Sequence, residues 1–213
     1  MHVLSRLLDA VASVGPTADL HPTSSCVGTL FRMFDLTGNI LILTGPPGAG
    51  KSTTARSLVI ASAGPAVHLH ADDFWHFIRK GAIPPYIPEA HKQNVVVMGV
   101  LAQAAEGYAK GDYFVVVDGI VGPWFIHPFK GLRQPLHYIV LRPPLDAAIE
   151  RCRLRGGDTL SDADPISALH KHFSMLHELE NYVIPTAGHS PDETLAAVQA
   201  GLVSGRFRLR ATT

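Results

Sequence analysis

Short apolar runs alternate with longer stretches of helical spacing over most of the chain. Ile40–Thr44 is apolar up to its last residue and runs into a glycine-rich turn, the pattern of a strand buried on both faces of a parallel sheet. Lys51–Ala63 follows with helical character and stops at Gly64-Pro65. Ala66–His70 predicts a second strand. Tyr113–Asp118, with Val115, Val116 and Val117 at its centre, predicts a third, and Leu136–Leu141 a fourth. Residues from about Pro88 to Lys110 predict a long helix ended by Gly111. Leu145–Arg155 predicts another, with Pro144 near its start and Gly156-Gly157 at its end. Pro165 opens a helix expected to continue to about Glu180, Tyr182–Ile184 predicts a fifth strand, and a last helix covers about Asp192–Val203. Strands and helices alternating at this spacing imply an α/β fold, with a parallel sheet covered on both faces.

Residues Val3–Val14 place Val3, Leu4, Leu7, Leu8 and Val11 at helical spacing, and Gly15-Pro16 with the polar stretch through Ser25 reads as linker. Met33 stands just before the first strong strand pattern. Residues 1–32 are therefore expected to be an appendage or the product of an upstream start codon, and residues 33–213 one domain. The 213 residues, 46% of them hydrophobic, suit one α/β domain with a sizeable core. With 18 basic and 18 acidic side chains there is no basic footprint for nucleic acid or for an anionic membrane. Arg206, Arg208 and Arg210 read as a solvated tail. Two cysteines, Cys26 and Cys152, do not make a disulfide framework and point to a reducing compartment. No apolar run approaches the roughly 20 residues of a membrane-spanning helix. Arg6 and Asp9 interrupt the N-terminal apolar stretch, which argues against a secretory signal. A cytoplasmic location is expected.

The turn after the first strand carries the chemistry. Gly45 to Ser52 matches G-x-x-x-x-G-K-[ST] at every defined position, between a predicted strand and a predicted helix. Glycines let the backbone curl so that its N–H groups point at phosphates, and the helix N-terminus adds a favourable dipole. The motif implies ATP as ligand, held by Gly45, Pro46, Pro47, Gly48, Ala49, Gly50, Lys51, Ser52 and Thr53. Lys51 should reach the β- and γ-phosphates and Ser52 should bind Mg²⁺. Asp118 closes an apolar strand, the place of a carboxylate that completes the Mg²⁺ site.

The second strand runs directly into Asp72-Asp73, so two carboxylates are expected at the same crevice. An Asp there would orient a hydroxyl and take its proton; alternatively, both would cap the following helix. Trp75 follows, and the loops Gly81–Pro88 and Gly119–Phe125 contribute Tyr86 and Trp124, all candidates for the wall of an acceptor site. Arg151 and Arg155 share one face of a predicted helix and suit charge developing on a transferred phosphoryl group; a solvated basic face is the alternative. Twelve histidines raise a metal hypothesis, but His170, His172 and His177 are not completed by a Cys or spaced His, and metals other than Mg²⁺ are not expected.

Together, the phosphate-binding turn, the strand-end Asp pair, Asp118 and the two arginines resemble the small P-loop kinases: adenylate, shikimate and gluconate kinases and the chloramphenicol phosphotransferases. The resemblance covers Asn39 to about Ala200. It implies a five-stranded parallel sheet in the order 2-3-1-4-5. It also implies Asp72 as the base, Arg151 against the nucleotide base, Arg155 on the phosphates, and Tyr182–Gly188 bordering the adenine; Asp73 is then expected to bind the acceptor or cap the helix. Gly119-Ile120-Val121-Gly122-Pro123-Trp124 replaces the glycine triplet of shikimate kinases. The lid between Gly156 and Asp164 is too short for the inserted domain of long adenylate kinases. Arg79 alone follows the Asp pair closely, and the aromatic loops favour a neutral or apolar acceptor. The expected activity is transfer of the γ-phosphate of ATP to a hydroxyl of a small molecule, a metabolite or antibiotic. Two alternatives stand beside it: a zeta-toxin-like kinase of sugar nucleotides, and an ATPase or switch without an acceptor. The guanine-reading N/T-K-x-D motif is absent from the sequence.

Overall fold

The computed structural model describes residues 34–155 and 162–209. The expected appendage (1–32), most of the expected lid, and Arg210 lie outside the described residues. In chain order the elements are β1 (Ile40–Thr44), α1 (Lys51–Ala61), β2 (Ala66–His70), α2 (Ala71–His76), α3 (His91–Lys110), β3 (Phe114–Asp118) and α4 (His127–Lys130). β4 (Leu136–Arg142), α5 (Leu145–Arg155), α6 (Ala163–His172), β5 (Val183–Pro185) and α7 (Pro191–Val203) follow. Every strand pairing is parallel and the order is β2-β3-β1-β4-β5, as the resemblance implies.

The unbroken apolar runs of β1 and β3 follow from this position, because central strands are covered on both faces. Ile40, Ile42, Val115, Val117, Tyr138 and Val140 pack on one face with Met98 and Leu101 of α3. Leu41, Leu43, Val116, Ile139 and Leu141 pack on the other with Leu58 of α1 and Leu195 and Val198 of α7. Each fully buried aliphatic side chain contributes about 1.5–3 kcal/mol. The register fixes where the strands stop: Leu43 lies beside Asp118, and Asp118 beside His70. The carboxyl ends of β1, β3 and β2 therefore reach one level. Among the described residues no helix is long and apolar enough to cross a membrane.

One predicted element is corrected. The helix expected from Pro165 to Glu180 ends at His172, and a 3-10 turn covers His177–Tyr182. Ser174 Oγ donates to the His170 carbonyl at 2.9 Å, offering the backbone an alternative to continued helix, and His177 adopts φ 49°. The bend lets Phe173 and Leu176 both enter the core, at 0% and 2% exposure. It also lets Glu180 pair with Arg142 at the end of β4. α2 and α4 are too short to produce a readable helical period.

Two sets of hydrogen bonds fix the loops above the sheet. Thr44 Oγ1 accepts from the Val121 N–H at 2.9 Å, and Tyr138 Oη donates to the Val121 carbonyl at 2.8 Å, which pins the segment after β3. The proline-rich loop is tied to α3. Gln93 exchanges two hydrogen bonds with the Ile83 backbone at 2.8 and 2.7 Å, and Asn94 Nδ2 donates to the Pro85 carbonyl at 2.8 Å.

His137 is buried on β4, with Nε2 3.0 Å from Asn39 Oδ1. Burial, helped by the charge of Arg208, pushes its pKa down from 6.5 to about 4. The unfolded chain then binds a proton near pH 6.5 that the folded chain refuses until about pH 4, so stability falls as pH drops through that window. Urea unfolding of the parent should lose about 2–3 kcal/mol more between pH 7 and 4.5 than unfolding of His137→Gln. Parallel pH profiles would contradict this assignment.

Candidate active site

The Gly45–Ser52 turn takes its shape from positions that exclude a side chain. Gly45 has φ 143°, and a Cβ there would lie 2.2 Å from the Leu141 carbonyl oxygen. Gly48 has φ 74°, and its Cβ would lie 2.3 Å from the Ala148 carbonyl oxygen of α5. Only glycine permits this conformation together with so close a backbone approach. The contact at Gly48 also brings α5 against the loop, where Arg151 Nη1 approaches the Gly48 carbonyl at 3.5 Å.

Lys51 opens α1, half-buried, and donates through Nζ to the carbonyls of Gly45 at 3.1 Å and Pro46 at 3.0 Å. Burial pulls its pKa down to about 8. The negative charges of Asp118 and Asp72 oppose that shift, and the positive charge of Arg155 adds to it. Lys51, Asp118, Asp72 and Arg155, contributed by four elements, therefore act on one another within a single site.

Asp118 is fully buried. Its Oδ1 accepts from His68 Nε2 at 2.7 Å and from His70 Nδ1 at 2.8 Å, while the equally buried Oδ2 has no hydrogen-bond partner. Burial alone would raise this carboxyl, but the two histidines and the nearby Ser52 hydroxyl outweigh it and hold the pKa well below the usual carboxylate range. The hydrogen bond to Asp118 in turn raises the His70 pKa. An orphaned carboxylate oxygen beside a serine hydroxyl is a hard-oxygen donor set, which fits Mg²⁺.

Asp72 and Asp73 open α2 and are exposed, and neither makes a side-chain capping hydrogen bond. Asp72 Oδ2 lies 3.6 Å from His70 Nε2, so His70 stands between Asp72 and Asp118. Gly119 allows this closeness of strand ends, since a Cβ there would fall 2.5 Å from the Cβ of Ala71. Trp75 is turned toward α3, where its indole N–H donates to Asn94 at 2.8 Å, and it packs against the core. Tyr86 is 86% exposed. Trp124 is partly exposed and stacks edge-on with His172 at 5.6 Å. Arg155 is exposed at the end of α5.

His68 and His70 are invisible to helical spacing, because alternate residues of a strand share a face and the register sets His70 beside Asp118. The histidines at helical spacing are used elsewhere: His170 Nε2 pairs with the Pro143 carbonyl at 2.9 Å, and His172 stacks on Trp124.

Comparison with solved structures places the fold. The tunicamycin resistance protein of Deinococcus radiodurans matches with a TM-score of 0.57 and 20% identity, covering 77% of this chain and 95% of that one. A gluconokinase from Sinorhizobium meliloti 1021 matches with a TM-score of 0.56 and 18% identity, covering 80% and 94%. A chain of the Pnkp1/Rnl/Hen1 RNA repair complex matches with a TM-score of 0.54 and 19% identity, covering 68% of this chain; the present chain spans only 47% of its length. No curated protein matches the sequence. At these identities the likeness shows the P-loop kinase fold. The sequence profile of the AAA domain family matches residues 40–179, from the first residue of β1 to the turn before β5, and the chain belongs to that family.

Proposed function

We propose that this chain is an ATP- and Mg²⁺-dependent phosphotransferase of the cytoplasm that moves the γ-phosphoryl group to a hydroxyl of a small molecule. The observation that carries the reading is the contrast between two carboxylates acting on one lysine. Asp118 is fully buried, beside Ser52, whereas Asp72 is exposed on the neighbouring strand end. A buried carboxylate with a free oxygen suits a cation. An exposed one at the same crevice suits an incoming hydroxyl.

The N–H groups of the turn and the N-terminus of α1 would cradle the phosphates, with Lys51 leaving its carbonyl partners to reach the γ-phosphate. Mg²⁺, held by Ser52 and Asp118, would supply neutralisation of charge on the β- and γ-oxygens. Asp72 would accept a hydrogen bond from the acceptor hydroxyl and take its proton as the new O–P bond forms and the bond to the β-phosphate oxygen breaks, releasing ADP. Arg155, whose charge already acts on Lys51, would stabilise the phosphoryl oxygens, and Arg151, resting on Gly48, would flank the nucleotide. Asp73, Trp75, Tyr86 and Trp124 would shape the acceptor side. The named neighbours include a gluconokinase and an antibiotic resistance protein, so sugar acids and antibiotics belong in the first acceptor screen. ADP release over diverse hydroxyl compounds, followed by mass detection of the phosphorylated product, tests the reading. ADP released at equal rates with and without every acceptor would favour an ATPase.

Four substitutions test the assigned roles. Lys51→Ala should nearly abolish transfer in a protein whose circular dichroism is unchanged; normal turnover would remove the phosphate site from the mechanism. Asp72→Asn keeps the shape but loses the basic oxygen, and should lower kcat by about 10²–10⁴ with ATP affinity almost unchanged. Asp73→Asn should cost less, and the reverse order would transfer the base role to Asp73. Arg155→Ala should reduce kcat far more than nucleotide affinity, because transition-state stabilisation acts on rate. Equal kcat in variant and parent would return Arg155 to a solvated helix face.

A further inference from the structure

The imidazoles on Asp118 are the wrong chemistry for the cation that the phosphate site calls for. Mg²⁺ takes oxygen donors, whereas imidazole nitrogen suits zinc and its first-row neighbours. Yet His68 Nε2 and His70 Nδ1 converge on one carboxylate oxygen at 2.7 and 2.8 Å. The three donor atoms lie within 4.8 Å of one another. We propose that His68, His70 and Asp118 Oδ1 form a second cation site, for a transition ion of the zinc class, on the side of β3 away from the phosphate-binding turn.

Five observations support it. The sheet order sets β2, with both histidines, on one flank of β3, and β1, with the phosphate-binding turn, on the other. The two oxygens of Asp118 are divided accordingly: Oδ1 is engaged by the histidines, and Oδ2 is buried without a partner. One carboxylate can therefore serve both sides.

The spacing is close to that of a bound ion. Donors around a tetrahedral zinc at about 2.0–2.1 Å stand about 3.3 Å apart, so the cluster needs to open by only about half an ångström on each N···O edge. Entry is available, because the side chains of His68 and His70 are 20% and 37% exposed while Asp118 is closed off.

The outer partner of a metal-bound histidine is also in place. His70 Nε2, the nitrogen not aimed at Asp118, faces Asp72 Oδ2 at 3.6 Å. A carboxylate behind a ligating imidazole fixes its tautomer and strengthens it as a donor. On binding, the nitrogens facing Asp118 give up their N–H protons: a neutral imidazole carries its proton on the other ring nitrogen instead, and an imidazolium releases one to solvent.

The test needs neither nucleotide nor acceptor, so its outcome is separate from that of the phosphotransfer assays. The full chain is equilibrated with Co²⁺ in millimolar Mg²⁺, dialysed, and read by visible absorption and elemental analysis. One retained equivalent of Co²⁺, displaced by Zn²⁺ but not by Mg²⁺, is expected. His68→Gln and His70→Asn place an amide N–H near the original donor atom, so they retain a hydrogen bond to Asp118 but lose the imidazole ligand. Each should weaken Co²⁺ binding by about tenfold or more while circular dichroism stays that of the parent. Histidine-selective NMR of the parent gives a readout free of any substitution, and two imidazoles should shift on addition of one equivalent of Zn²⁺. The proposal is overturned if the parent retains no Co²⁺, if Mg²⁺ displaces it, if either folded variant binds as tightly as the parent, or if no imidazole signal moves.

Discussion

A carboxylate without exposed surface must find its donors inside the protein, because an uncompensated buried charge costs several kcal/mol. Asp118 finds them in the two histidines of β2, with the Ser52 hydroxyl of α1 nearby, and much of the architecture is arranged to bring these groups together. Delivery depends on register: β3 must stop level with β1 to meet Ser52 and level with β2 to meet the histidines. A slip of one residue would turn Asp118 to the opposite face, toward Met98 and Leu101 of α3. The continuous apolar faces of β1 and β3 hold that register, so core packing and site chemistry depend on the same strands.

Around this fixed carboxylate the groups differ in exposure, and the difference divides their work. Asp118 is sealed and strongly ionised, and Lys51 is drawn down toward neutrality by burial. Asp72 and Arg155 stand open to solvent. The interior part of the site is therefore preorganised for fixed charges, while the open part is free to meet a molecule that arrives from outside. Gly45, Gly48 and Gly119 make the arrangement compact, since a methyl group at any of them would push a strand, a helix or α2 away from the phosphate crevice.

The sheet and the tight turn after its first strand were legible in the sequence because their physics is local. Ile40–Thr44 and Tyr113–Asp118 announce buried strands by composition, and Gly45–Ser52 carries its mechanism in contiguous residues. The helix after Pro165 was read too long because its break at Phe173–His177 depends on two side chains reaching the core, which local spacing does not reveal. His68 and His70 escaped notice because their partner is 50 and 48 residues away and only strand register brings them together. The bond of Trp75 to Asn94 on α3 is likewise invisible to local spacing.

The proposed phosphotransfer requires one crevice to hold the γ-phosphate between Lys51 and Asp72, with Asp118 on the cation side. A crystal structure with Mg²⁺ and a non-hydrolysable ATP analogue measures this directly. Adding the reach of an attacking oxygen to that of its hydrogen bond, the account predicts an Asp72 carboxylate oxygen about 5–6 Å from the γ-phosphorus, with Asp118 and Ser52 around the Mg²⁺. A nucleotide seated outside the Gly45–Ser52 turn, or an Asp72 directed away from the γ-phosphate, would contradict it.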